Sequence, residues 1–244
     1  MTTLPAPPPP PPPSRPTLDF PRGLRFTFED PDWIKKVLIG SGMALLAVFI
    51  IGSIWLMGYF VRVVQRAARG EERPLPEWDD WGGMLGDGLK VFGIYLCYLV
   101  GALLPFIAIF VVLVVVVGAA GTARGGREVS DALGGVMGLG FVGLYGVLWL
   151  VMIALMIYLP AAMTRFAMTG RFGAGFEVME NLAFIRRNLV NYALTLVLYL
   201  VVSFLAQFGI VLCCVGVLPL SFWAMCVLAW ALGETVRLDP TGVV

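Results

Sequence analysis

The sequence predicts an all-α, polytopic membrane helix bundle with about five transmembrane helices and two interfacial amphipathic helices. Three observations lead there. Hydrophobic residues make up 59% of the 244 and charged residues only 14%, with a mean hydropathy of +0.88. Soluble domains run nearer half apolar and a quarter charged, and a soluble fold of this length keeps too much wet area to hide the excess. Second, the charges are segregated: residues 37–61, 91–118, 137–164 and 188–233 are essentially free of them. Third, each tract is long enough for a helix rising 1.5 Å per residue to cross roughly 30 Å of hydrocarbon.

Taken in order, residues 1–25 form a tail carrying the proline run Pro7 to Pro13. Proline fixes φ and donates no hydrogen bond, so the run reads as an extended polyproline II spacer, with an SH3- or WW-type ligand as the other use. A signal peptide needs a basic start and an apolar core; the tail has neither, so insertion through the chain's own first span is expected. The membrane domain covers residues 26–237. At its entry, Asp30 or Asp32 caps a helix around Pro31, Trp33 sits at headgroup level, and Lys35 and Lys36 lie in the aqueous boundary. The first span is expected at 37–61, leaving through Tyr59, Arg62, Arg66 and Arg69.

Next comes Leu75-Pro76-Glu77-Trp78-Asp79-Asp80-Trp81. A proline followed by three acids suits the positive end of a helix dipole. Trp78, Trp81, Leu85, Leu89 and Phe92 recur at helical spacing, which predicts an amphipathic helix lying along the membrane, with Gly82, Gly83 and Gly86 as the place for a break. The second span, 91–118, is read as one tilted helix kinked near Pro105. A glycine-rich connection follows, then a third span at 137–160 closed by Pro160. After Arg165 and Arg171, a second amphipathic stretch places Phe172, Phe176, Met179 and Ala183 on one face, opposite Glu177, Glu180 and Asn181. The fourth and fifth spans are expected at 189–211 and 217–234, separated by a tight break at Cys213-Cys214-Val215-Gly216. A short tail, 238–244, ends the chain. Both halves repeat the order span, Arg and Gly exit, amphipathic segment, span, which suggests an internal duplication.

The seventeen Lys and Arg fall five before the first span, then five, two, four and none across the loops, with one at the C-terminus. Loops one and three are therefore cytoplasmic, in a multi-pass protein of the cytoplasmic membrane. Five spans would put the N-terminus outside, against the pull of Lys35 and Lys36. A short re-entrant half-helix within 33–61 would return it to the cytoplasm; the side of the N-terminus stays open between these two.

Among residue types that carry chemistry, histidine is absent, removing the commonest general base and metal ligand. Cys97, Cys213, Cys214 and Cys226 lie in hydrophobic tracts without metal-site spacing, so no metal, cofactor or catalytic residue is assigned. They read as small packed apolar groups, a strained Cys213–Cys214 disulfide being the other option. The candidate motif is Pro76, Glu77, Trp78, Asp79, Asp80 and Trp81. Its acids would serve as an acid–base pair or ion ligands in one reading, and as a solvated face with a helix-start signal in the other. Arg62, Arg66, Arg69, Arg165, Arg171, Arg186 and Arg187 are candidate contacts to anionic lipid headgroups. Gly134, Gly138, Gly140, Gly143 and Gly146 are expected to let helices approach closely, within the chain or in a homo-oligomer. A net charge of +1 gives no field for nucleic acid.

Asp30-Pro31-Asp32-Trp33, Lys35-Lys36, Ile39-Gly40, Gly58-Tyr59 with Arg62, and above all Leu75 to Trp81 resemble the family known as domain of unknown function 4013. Pro160-Ala161-Ala162, Thr169-Gly170, Phe172-Gly173, Asn188 with Tyr192, and the Cys213 to Gly216 break are similar too. The resemblance covers residues 26–237 and implies a multi-spanning membrane protein of bacteria or archaea. It carries no activity, substrate or catalytic residue. Three function classes follow. The leading one is a non-enzymatic component organising lipid or membrane-protein partners in the bilayer. The alternatives are a permease or channel for uncharged or amphipathic solutes, and a lipid-modifying enzyme. The absence of ionisable groups inside the spans disfavours charge-coupled transport.

Overall fold

The computed structural model describes residues 17–123, 127–211 and 216–239. These residues form α1 (Phe20–Arg25), α2 (Trp33–Leu46), α3 (Ile51–Ala68), α4 (Trp81–Ala123), α5 (Arg127–Thr169), α6 (Val178–Arg187), α7 (Leu189–Gln207) and α8 (Val217–Leu238), with short 3-10 turns at Ala47–Phe49, Phe172–Phe176 and Phe208–Val211. No strand occurs among the described residues. The proline run, the pair Cys213-Cys214 and residues 240–244 lie outside them.

Four helical segments are long and apolar enough to cross a membrane: Trp81–Val116, Gly138–Thr169, Leu189–Val211 and Val217–Leu238. The first tract, expected as one span over 37–61, is instead divided. Helix α2 ends in the turn Ala47–Phe49, Ile50 takes a left-handed φ of 68°, and α3 runs back. In one straight helix, Lys36 and Arg66 would lie about 45 Å apart. Here Lys36 Nζ and Arg66 Nη1 both donate to the Leu75 carbonyl, at 3.1 and 2.9 Å. The tract is a helical hairpin whose two ends meet: it turns back as the re-entrant alternative required, but the true span that alternative placed after the half-helix is not among the four candidate spans. Its tip exposes Val48, Phe49, Ile50 and Ile51.

The hairpin closes because glycines let backbones touch. A Cβ at Gly52 would collide with the Met43 carbonyl across the hairpin, and one at Gly58 with the Met84 carbonyl of α4. On the other side, Gly40 accommodates the Phe222 ring of α8, and a Cβ at Gly233 would lie 2.5 Å from the Val64 carbonyl. Helix α8 is the hub, burying Cys226, Ala229, Trp230 and Leu232. At Gly134, Gly138, Gly143 and Gly146, expected at a close approach, an added Cβ would meet nothing within 4 Å among the described residues, and at Gly140 it would make only ordinary contact with Leu113. The close approaches fall elsewhere because they are set by where α2, α3, α4 and α8 cross, not by glycine density.

Helices α4 and α5 each run 43 residues, about 64 Å, roughly twice the thickness of a bilayer's hydrocarbon. The separate interfacial helix expected around 75–92 does not exist: residues 71–80 are non-helical, and α4 starts at Trp81 and passes Gly82, Gly83 and Gly86 unbroken. Nor does Pro160 close α5, which continues to Thr169. The Thr164 hydroxyl donates to the Pro160 carbonyl at 2.7 Å in the turn beyond it. The second amphipathic stretch is the 3-10 turn Phe172–Phe176 followed by α6, but its faces are not the expected ones. Asn181 and Phe184 are buried, whereas Met179 is 77% exposed.

The charged ends gather. Gln65 Nε2 donates to the Ala167 carbonyl at 2.7 Å, tying α3 to the end of α5. Arg237 of α8 packs over Gly70, just past α3. The Leu18 N–H donates to Asn191 Oδ1 near the start of α7 at 3.2 Å. Residues 17–18, loops one and three and the end of α8 thus share one end of the bundle, and the conflict over Lys35 and Lys36 disappears. With the four cysteines replaced by alanine, cysteines introduced at Thr17 and Arg69 are expected to react with an impermeant maleimide from the same membrane face. Labelling from opposite faces would contradict the hairpin.

Candidate functional site

The loop from Arg69 to Asp80 lies across the open end of the hairpin as a strap, and each of its anchors has a local cause. Gly70, with φ 72°, ends α3: its N–H donates to the Ala67 carbonyl at 2.9 Å, and the Glu71 N–H to that of Arg66 at 3.1 Å. Glu71 then binds back to Arg66 Nε at 2.6 Å and Arg69 Nε at 2.9 Å. Partial burial alone would raise the Glu71 carboxyl, but the hydrogen bonds from Arg69 and Arg66 outweigh it and hold it below its ordinary value of 4.5.

At the centre is Lys36. Expected in the aqueous boundary, it is 4% exposed, because the strap covers it. Its three ammonium protons have three acceptors: Asp30 Oδ2 at 2.7 Å, Glu77 Oε1 at 2.7 Å and the Leu75 carbonyl at 3.1 Å. Asp30, 3% exposed, is held in turn by the Asp32 N–H at 2.9 Å. A buried ammonium is tolerated only when its charge and donors are matched this fully. Asp32 occupies the N-cap position of α2 without a side-chain cap bond, and of the two entry acids it is Asp30 that serves Lys36.

The tryptophans are structural partners of the same strap. Trp78 stacks on Tyr59 at 4.4 Å between ring centroids, and its Nε1 donates to the Lys36 carbonyl at 3.2 Å. The Tyr59 hydroxyl donates to the Pro76 carbonyl at 3.2 Å, and Trp55 Nε1 to that of Trp81 at 3.2 Å. Trp78 is buried and Trp81 38% exposed.

Glu77 and Asp80 do not form a pair. Glu77 goes to Lys36, whereas Asp80 accepts Arg62 Nη2 at 2.6 Å and caps α4 through the Gly83 N–H at 2.9 Å. The hydrogen bond from Arg62, then that from Gly83, holds the Asp80 carboxyl below its ordinary value of 3.8. Its contribution is therefore fully present above that value and is lost only as pH falls through the lower folded one. Asp79 is exposed and accepts the Asp80 N–H, at 2.9 Å. Among the described residues, no group of three or more His, Cys, Asp or Glu is placed to hold a metal ion.

The remaining candidate arginines sit around the same end. Arg165 is 5% exposed and meets Glu177 Oε2 at 2.9 Å; Arg171 is exposed and meets Glu177 Oε1 at 3.3 Å. Arg186 and Arg187 line a cavity of about 570 Å³ with Thr17, Asn191, Leu238 and Asp239. Away from this end the cavities are walled mostly by hydrocarbon. One of about 770 Å³ lies between α4 and α5, against Leu103, Phe106, Phe110, Phe141, Tyr145 and Leu148. Another, of about 270 Å³, lies between α3, α5 and α8, against Leu56, Met57, Pro160, Met163 and Met225, with Ser53 its one polar side chain.

The structure brings Pro76, Glu77, Trp78, Asp80 and Trp81 together with Arg62 and Arg66 as one clasp, and leaves Asp79 outside it. Sequence reasoning missed Asp30 and Lys36 as its core. The available signal was two acids and two lysines flanking Pro31 and Trp33, immediately ahead of an apolar tract. Neither a curated protein nor a solved structure matches the chain. A family model described as a protein of unknown function, DUF4013, matches residues 41–215, a stretch that takes in the whole strap and α3 to α7. The chain belongs to that family.

Proposed function

We propose that the protein is a non-enzymatic component of the cytoplasmic membrane that organises anionic lipid around one charged end. The observation that carries this reading is the gathering of the candidate arginines at a single end of the bundle, beside helix ends that an apolar bundle holds at bilayer level. Such an arrangement would face the negative surface of the cytoplasmic leaflet, where a nearby cation contributes about 1 kcal/mol of attraction and less where an acid already pairs with it. Glu77 and Asp80 are engaged in holding the hairpin and starting α4, which favours a structural role for them over acid–base chemistry. A permease for uncharged or amphipathic solutes would be favoured by buried polar groups converging on a cavity, and the two cavities between the apolar helices offer only Tyr145 and Ser53 among otherwise apolar linings.

The test is lipid retention. Protein extracted from a membrane of equal phosphatidylglycerol and phosphatidylcholine, and weighed intact by native mass spectrometry, is expected to keep the anionic lipid in several-fold excess. Replacing Arg186 and Arg187 with glutamine should reduce that excess. Equal retention of the two lipids by the unaltered protein would sink the reading.

A further inference from the structure

The two exits of the bundle use the same device but finish it differently. Gly70 and Gly170 take left-handed φ values of 72° and 67° directly after α3 and α5. Seven residues after each stands a glutamate, Glu77 or Glu177, whose carboxylate holds a buried cation. In the first exit the cation is complete: Lys36 has three donors and three acceptors. In the second it is not. The Arg165 side chain is 7% exposed, with Nη2 on Glu177, while Nε and Nη1 are buried and have no acceptor among the described residues. Asn181, one turn into α6, likewise buries an Oδ1 without a partner, although its amide nitrogen is engaged by Tyr158 and Gly175.

A guanidinium carries five N–H donors in a rigid fork matched to two oxygens of one anion, and leaving such donors sealed without acceptors is unfavourable. The local charge has the same sense: Arg165 and Arg171 share the single carboxylate of Glu177, leaving one positive charge in excess. In the segment covering them, Gly170 and Gly173 have no neighbour among the described residues where a Cβ would sit, whereas Ala174 and Gly175 are buried and the Gly175 carbonyl accepts from Tyr98 and Asn181. We infer that Arg165, with Arg171, forms a binding site for an anionic phosphate group, and that Glu177 occupies it as an internal competitor. The site rests on the lipid-organising reading and gives it an address. The phosphate belongs either to a lipid headgroup or to a free ion, since the fork recognises the oxygens and not what they are attached to.

The experiment uses the delipidated full chain in detergent, titrated separately with dioleoyl phosphatidylglycerol, dioleoylglycerol, which lacks the phosphate, and inorganic phosphate. Binding is read by native mass spectrometry, and protection of residues 171–177 by hydrogen exchange. Phosphatidylglycerol is expected to bind and to alter exchange at 171–177, dioleoylglycerol to do neither. Inorganic phosphate binding as tightly as the lipid would identify the free ion as the source. Arg165→Gln should weaken phosphate binding about tenfold or more, and Arg165→Lys, which keeps charge without the fork, by less. Glu177→Gln should tighten it several-fold, a direction that loss of a merely structural ion pair would not produce. If Arg165→Gln and Glu177→Gln both bind like the unaltered chain, the site is wrong even where anionic lipid is still retained overall. If the unaltered chain prefers neither phosphate-bearing ligand, the broader reading falls with it.

Discussion

Replacing Lys36 with methionine is expected to destabilise the membrane domain by about 3–5 kcal/mol, the range for breaking a buried ion pair from one side. The loss exceeds that of one surface contact because of what remains. Asp30, 3% exposed, would keep its hydrogen bond from the Asp32 N–H but lose the one cation paired with it among the described residues. Glu77 is 45% exposed and can be rehydrated, and the Leu75 carbonyl retains Arg66. The penalty therefore falls mainly on Asp30. Adding Asp30→Asn, which removes the stranded charge while still accepting from Asp32, should recover a large part of it, whereas Glu77→Gln in the same background should recover little. Thermal unfolding in detergent, followed through the tryptophans that stack on the strap, reads all three. A Lys36→Met protein as stable as the unaltered one would mean that the clasp does not hold the hairpin.

How much of this was legible beforehand depends on whether local pattern or tertiary contact decided each element. The tracts that became α4, α5, α7 and α8 were visible because hydrocarbon length and charge exclusion are local properties of a sequence. The block from Leu75 to Trp81 was visible as unusual, but its role was not. Pro76 with three acids reads as a helix start, yet α4 begins at Trp81, because Asp80 both binds Arg62 and caps Gly83. Its tryptophan spacing imitates an amphipathic helix, while Trp78 is fixed by Tyr59 and the Lys36 carbonyl on other elements. Likewise the faces of α6 were misjudged: Asn181 is buried because Tyr158 and Gly175 accept from it, a contact no helical wheel contains.

The division of the first tract was the least legible feature. No proline or charge interrupts residues 37–61, and its apolar content alone supports one span. What divides it is a set of approaches between helices that the local sequence cannot reveal, each carried by a glycine. This leads to the second large effect. Gly58→Ala and Gly88→Ala are each expected to destabilise the fold by about 1–3 kcal/mol or more, the range for overpacking a filled core. At Gly58 the added Cβ would overlap the Met84 carbonyl oxygen, and at Gly88 that of Ile54, so the two positions face each other across one crossing of α3 and α4. The obstructing atoms are backbone, and no rotamer change relieves the overlap. The helices must separate, and α3 would then carry the strap anchors Tyr59 and Arg62 away from Pro76 and Asp80. Gly143→Ala and Gly146→Ala on α5 meet nothing within 4 Å and are expected to stay within about 1 kcal/mol of the unaltered protein, the scale of the Gly-to-Ala helix propensity difference. The decisive comparison is between the two pairs, by unfolding midpoint in the same detergent. Equal midpoints for all four variants would show that α3 and α4 are not in backbone contact, and the hairpin would have to be held some other way.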